Sequence, residues 1–181
     1  MRGGVDLIQL RDKSLDDDAL VQAAKAFVGH EALFILNDRP DLVEACGADG
    51  IHVGQDDDPP KIARAAVGPD RIVGRSTHAP NQAAAAQADE DVDYLAVGPV
   101  HVTPTKPGRP AAGLDYVAHA ASTVTKPWFA IGGLDAGNVR EVLERGATRI
   151  VVVRAITEAA EPEVAARALR DALEGRVGAG R

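Results

Sequence analysis

"LFILNDRPDLVEACGADGIHVG", residues 33–54, contains the pattern that the whole chain repeats. Leu33, Phe34, Ile35 and Leu36 form an apolar run too continuous for a strand with one face in water. A short helical stretch follows at about 41–46, and a second apolar run occupies 50–53. Run, helix and run make a β-α-β unit, whose two strands are parallel because the helix carries the chain back to the start of the sheet. Outward from this segment the same order recurs. Apolar runs lie at 5–10, 71–74, 94–97, 128–131 and 149–153. Helical patterns lie at about 14–28, 60–66, 80–88, 114–121, 138–145 and 163–174. The clearest is 14–28, where Ser14 is placed to cap the helix and Asp16, Asp17 and Asp18 sit in its positive first turn.

A strict alternation of this kind means a parallel sheet covered by helices, either doubly wound or closed as a barrel. Units of similar length favour the barrel, and a closed barrel of this type needs eight strands. The expected fold is therefore α/β, a TIM (β/α)8-type barrel lacking its first β/α unit, with seven strands visible. Residues 1–181 are expected to form one barrel domain, with 175–181 fraying at the end. Met1-Arg2-Gly3-Gly4 leads straight into the first run, which reads as a start assigned too far downstream. Seven strands that do not close would leave two sheet edges exposed.

Composition limits what such a fold does. Hydrophobic residues make up 45% of the chain and charged ones 26%, the balance of a globular protein. Only 3% are aromatic, so the core rests on Ala, Val, Leu and Ile. A net charge of −7 without a Lys/Arg block argues against nucleic acid and against an anionic membrane surface. No apolar run approaches the ~18 residues of a membrane span, and no signal-peptide pattern opens the chain, so the cytoplasm is the expected compartment. The one cysteine, Cys46, reads as a small core residue.

In an α/β barrel the working residues stand at the C-terminal ends of the strands and in the loops just beyond. Gln9, Arg11 and Lys13 alternate with period two at the first such end, and the two cations suit either a phosphate grip or a solvated strand end. Asn37-Asp38 ends the next run, and Gln55-Asp56-Asp57-Asp58 follows the one after. Neighbouring strands lie about 4.8 Å apart, so one acid from each can meet at a Mg2+ ion. The acidic cluster also reads as the decorated start of a helix. His52 reads as a strand residue, not a metal ligand, because no second His or Cys stands at ligand spacing. Gly74-Arg75-Ser76-Thr77-His78 forms the next mouth, followed by "GPVHVTPTKPGRP", residues 98–110, whose prolines forbid helix while Thr103, Thr105 and Lys106 suit an anion. Ile131-Gly132-Gly133 and Val153-Arg154 close the series, where barrels of this type often bind phosphate.

The chain resembles the thiamine-phosphate synthase family. The motifs that carry the likeness are Gln9-Leu10-Arg11-Asp12-Lys13, Asn37-Asp38, the segment 50–57, the segment 74–78, Gly98-Pro99-Val100, Thr103-Pro104-Thr105-Lys106 and Ile131-Gly132-Gly133, in family order over nearly the whole chain. The resemblance implies two small-molecule substrates, 4-amino-2-methyl-5-(diphosphooxymethyl)pyrimidine and a thiazole phosphate, with thiamine phosphate and pyrophosphate as products. It implies that Gln9, Arg11, Lys13, Asn37, Thr77 and Lys106 hold the pyrimidine diphosphate, with Ser76 beside the pyrimidine. Asp38 and Asp57 would bind Mg2+. Thr103, Pro104, Thr105, Gly133, Val153 and Arg154 would hold the thiazole phosphate. Arg11, Lys13, Ser76 and Lys106 are the expected catalytic groups. No nucleic acid or membrane is implied, and a homo-oligomer is compatible with the pattern. The family's missing opening unit and His101-Val102, where relatives carry an aromatic residue and Pro, are the two departures. Two competing readings are a thiazole tautomerase, against which Arg11, Lys13, Asp38, Asp57 and Lys106 argue, and a catalytically silent phosphate-binding barrel.

Overall fold

The computed structural model describes residues 2–103 and 110–175, and in it seven parallel strands lie side by side in chain order. They are β1 (Leu7–Leu10), β2 (Leu33–Asn37), β3 (Gly50–Val53), β4 (Ile72–Thr77), β5 (Tyr94–Val97), β6 (Trp128–Ile131) and β7 (Ile150–Val151). Helices alternate with them: α1 (Asp17–Ala24), α2 (Val43–Cys46), α3 (Pro60–Val67), α4 (Pro80–Ala88), α5 (Gly113–Thr123), α6 (Val139–Glu144), α7 (Arg154–Thr157) and α8 (Pro162–Leu173). A 3-10 turn, Pro40–Leu42, leads into α2. Among the described residues no pairing joins β7 to β1, so the sheet is a curled half-barrel. Across the open side α8 leans on the N-terminal segment. Arg170 Nη1 donates to Gly4 O at 3.3 Å and pairs with Asp6 Oδ2 at 2.8 Å, and Arg167 Nη2 donates to Arg2 O.

Strand alternation sorts the side chains. Phe34, Leu36, Ile51, Val53 and Val73 face outward and pack against Leu20, Val43 and Ala63 of the first three helices. Leu95, Val97, Trp128 and Ala130 do the same against Ala83, Val117, Val142 and Leu169. Each such side chain, fully buried, contributes roughly 1.5–3 kcal/mol. The positions between them point into the barrel: Gln9, Ile35, Asn37, His52, Gly74, Ser76, Tyr94 and Ile131. Cys46 is buried in the outer layer, and burial pushes its thiol pKa up, as befits a core residue.

One helix start differs from the sequence expectation. Asp16, not Ser14, caps α1, its side chain accepting from Ala19 N at 2.9 Å. Ser14 is already held by Asp12, whose Oδ1 accepts from both Ser14 N (2.9 Å) and Ser14 Oγ (2.6 Å). A carboxylate two residues upstream wins the serine for a turn, and the helix begins two residues later. The described chain ends at Gly175, so 176–181 of the expected tail lie outside it. Among the described residues no helix is long and apolar enough to cross a membrane.

Candidate active site

At the C-terminal rim of β1 to β3 the Lys13 ammonium lies between two carboxylates from separate loops. Beyond β1 the Asp12 turn sets Lys13 over the rim, with Nζ 3.1 Å from Asp57 Oδ1 and 3.8 Å from Asp38 Oδ2. The bonds from Ser14 hold the Asp12 carboxyl below the usual carboxylate range. Asp38 and Arg39 both take left-handed backbone angles, φ 58° and 56°. For a residue with a Cβ this costs roughly 1–2 kcal/mol, though Asp tolerates it better than most. What holds the turn is visible: Asp38 N donates to His52 O at 2.8 Å, and Arg39 pairs with Asp17 at 2.7 Å and Asp41 at 2.8 Å. Hydrogen bonds from Arg39 draw both carboxyls below their ordinary range. The strained turn keeps Asp38 at the rim instead of continuing β2.

Asp57 is fixed from the other side. Its Oδ2 accepts from Gly54 N at 2.8 Å, and Arg75 Nη1 donates to Gly54 O at 2.6 Å, tying the acidic loop to β4. Burial lowers the Arg75 pKa, and the charges of Asp57, Asp89 and Asp56 oppose that shift. Two monodentate carboxylates with a cation lodged at them suit Mg2+, which takes one or two carboxylates and fills its other positions with water and phosphate oxygens. Among the described residues no group of three or more metal-binding side chains exists, so such an ion would draw most of its ligands from solvent and substrate. Lys13, Asn37 and Asp38 line one small pocket with Leu15, Leu20 and Arg39. Arg11 is exposed beside it, and Gln9 is half-buried below.

Ser76 and Thr77, neighbours on β4, face opposite ways. Ser76 looks into the barrel, its Oγ 2.8 Å from His52 Nε2, and lines the main cleft. Thr77 is fully buried toward α5: its hydroxyl donates to Ala96 O at 3.0 Å and accepts from Tyr116 Oη at 2.7 Å. The Thr77 side chain is thus engaged within the fold. His78, after β4, places Nδ1 against Gly98 O.

The main cleft, about 420 Å³, opens at the ends of β4 to β7, and Ser76, Thr103, Gly133, Val153 and Arg154 line it. Its wall forms because the chain after β5 continues a ladder onto the end of β6: Val100 N donates to Ile131 O (2.8 Å) and His101 N to Gly132 O (3.0 Å). That approach requires glycine. A Cβ on Gly132 would lie 2.5 Å from Pro99 Cα, and one on Gly133 2.8 Å from His101 Cβ, while their φ angles are 109° and 65°. Arg154 Nε meets both carboxylate oxygens of Glu158 at 3.0 Å, one turn along. Pro104, Thr105 and Lys106 lie outside the described residues.

Sequence reasoning missed Arg75 as the strap of the acidic loop, His52 as the partner of Ser76, and Tyr94 as the partner of His52. Arg75 and Ser76 stand in one quoted motif, so its neighbourhood was visible. The Tyr94–His52 pairing spans strands β5 and β3, and only the curl of the sheet brings it about.

The family model described as thiamine monophosphate synthase matches residues 1–156. A thiamine-phosphate synthase of Mycobacterium sp. (strain KMS) is 53% identical over 97% of this chain and 84% of its own. One from Thermus thermophilus is also 53% identical, over 97% of this chain and 86% of its own. Among solved structures, a thiamine phosphate pyrophosphorylase from Pyrococcus furiosus superposes with a TM-score of 0.83 at 31% identity, covering 98% of this chain and 87% of that one.

Proposed function

The chain belongs to the thiamine monophosphate synthase family, and on that premise we propose how its rim residues share two substrates and a metal ion. The activity is that of a thiamine-phosphate synthase, a transferase. The carbon–oxygen bond between the pyrimidine methylene and its diphosphate breaks, the electron pair leaving on oxygen. The thiazole nitrogen then supplies the pair for the new carbon–nitrogen bond. Such a displacement asks for charge stabilisation at the leaving group and for alignment of two reactants, more than for a nucleophile or base of the protein's own.

The observation that carries the assignment is Lys13, whose ammonium reaches both Asp57 and Asp38. A cation position flanked by two acids, at the mouth of the pocket lined by Asn37, fits a magnesium pyrophosphate leaving group. Asp38 and Asp57 would hold Mg2+, which when bound would neutralise charge on the departing pyrophosphate. Arg11, Lys13 and Lys106 would share that task, Gln9, Asn37 and Ser76 would orient the pyrimidine, and Thr77 would support them from the strand. The cleft beyond β4 to β7 would take the pyrimidine ring at its Ser76 end and the thiazole phosphate on Thr103, Pro104, Thr105, Gly133, Val153 and Arg154. On this reading the enzyme works in the cytoplasm on small molecules.

The test is direct coupling. Incubating the chain with pyrimidine diphosphate, thiazole phosphate and Mg2+ should yield thiamine phosphate, read as thiochrome fluorescence after oxidation, and EDTA should abolish it. A folded chain that makes no product would overturn the assignment. Product made undiminished in EDTA would remove the metal from it.

A further inference from the structure

Four polar side chains from four strands meet inside the barrel as one chain. Gln9 of β1 hydrogen-bonds the phenol of Tyr94 of β5. Tyr94 Oη lies 2.9 Å from His52 Nδ1 of β3, and His52 Nε2 lies 2.8 Å from Ser76 Oγ of β4. Tyr94, His52 and Ser76 are each only 5% exposed. Room for the link is built in: Gly74 of β4 is the register partner of Tyr94 on β5, and a Cβ there would come 2.1 Å from Tyr94 Cζ and 2.5 Å from its Oη. Phe129 holds the other side of the ring edge-on, with centroids 5.4 Å apart.

The chemistry of the four groups gives the chain a direction. A hydroxyl has one proton to donate, and a neutral imidazole has one N–H. The Gln9 amide donates to the phenol oxygen, which draws the Tyr94 pKa down against the larger upward push of burial. The phenol therefore stays protonated and passes its own proton's bond to His52 Nδ1. An Nδ1 that accepts leaves the ring as the neutral Nε2–H tautomer, and that N–H donates to Ser76 Oγ. With its oxygen occupied as acceptor, Ser76 has its hydroxyl proton left to offer to the cleft it lines.

We propose that Tyr94 and His52 are positioning residues that fix Ser76 as a hydrogen-bond donor toward a ring nitrogen of the aminopyrimidine substrate. This rests on the substrate assignment above. An aminopyrimidine offers acceptor nitrogens in its ring beside a donor amine, so a hydroxyl free to rotate would serve either edge. A serine locked as donor selects one. It orients the ring, and with it the methylene that must face the thiazole nitrogen.

Two measurements test this. Nitrogen-15 NMR of the ligand-free protein at neutral pH should show His52 as the Nε2–H tautomer, and Tyr94→Phe should weaken that preference. An Nδ1–H tautomer or an imidazolium in the parent chain would overturn the proposal. In the coupling assay Tyr94→Phe should raise the KM for pyrimidine diphosphate about tenfold and leave that for thiazole phosphate unchanged. His52→Gln, which keeps a side-chain N–H for Ser76, should retain more activity than His52→Leu. Equal changes in both KM values, or none, would mean that the chain only supports the fold. A parent chain that makes no thiamine phosphate would sink the functional reading and the ligand named here, while the tautomer still decides the direction of the chain.

Discussion

The two ends of the barrel use the same residue types to opposite purpose. At the N-terminal floor, Asp49 Oδ2 accepts from Phe34 N and Asp93 Oδ2 from Val73 N, both at 2.7 Å, so each acid takes the N–H of the second residue of a neighbouring strand. Arg64 reaches the same Asp93 at 2.6 Å and also donates to Gly68 O and Asp91 O. Lys126 does likewise with Ala86 O and Asp89 O. These charges are matched to fixed backbone groups. At the rim, Lys13 rests on two carboxylates from separate loops, and Asp38 stays there by a left-handed turn. Charges at the floor close the structure, whereas those at the rim pair across loops where the proposed substrates would bind.

Substitutions at the rim and at the floor should therefore fail differently. The largest effect is expected from Asp38→Ala, which removes half of the carboxylate pair: Mg2+-dependent turnover should fall on the order of a hundredfold or more. Thermal stability should fall by no more than the roughly 1 kcal/mol that alanine costs at this left-handed turn, since the variant loses no bond on which a strand depends. Undiminished turnover, or a collapse of stability with it, would erase the distinction between the ends. The floor counterpart is Arg64→Ala. Its loss takes the guanidinium from Asp93 and from several carbonyls, and the cost in urea unfolding should be about 2–3 kcal/mol. The KM values of whatever folds should stay within about twofold. A stable Arg64→Ala protein with altered KM values would show that the floor reaches the site.

What the sequence revealed follows the same division. Strands β3, β5 and β6 match their apolar runs end to end because they lie inside the sheet, and His52, the polar residue of β3, is buried with its neighbours. Strand β7, at the open edge, kept only Ile150–Val151 of its longer run, and α7 gave no periodic signal because it has a single turn. The rim positions were legible because barrel topology says where strands end, while the ion pairs of Lys13 with Asp38 and Asp57 were not foreseen. Thr77 shows the limit. Grouped with Ser76 as a ligand residue, it faces Tyr116 and Ala96 instead, since adjacent strand residues must point apart. The direction of the hydrogen bonds through His52 was beyond reach, because it depends on which strands curl across from one another.

Arg39 is the group that blurs the division, and it gives the smallest and most discriminating effect. It stands at the rim yet behaves like a floor residue, bound to Asp17 and Asp41 and holding the turn beside Asp38. Its hydrogen bond lowers the folded pKa of Asp41 beneath the ordinary 3.8. A carboxyl lowered on folding stabilises the protein above its unfolded pKa, and that contribution is lost as pH falls through the folded value. Asp41→Asn should therefore unfold at slightly lower urea than the parent at neutral pH. The two midpoints should converge only as pH drops through the folded value, below which the parent's acid is protonated in the folded state as well. Because the pair is exposed and screened by solvent, the gap should also shrink in high salt. A gap that persisted in acid would assign the loss to packing in the turn instead of to the charge. If Asp41→Asn weakened Mg2+-dependent turnover while barely changing stability, Arg39 would belong with the rim, as the residue that aims Asp38.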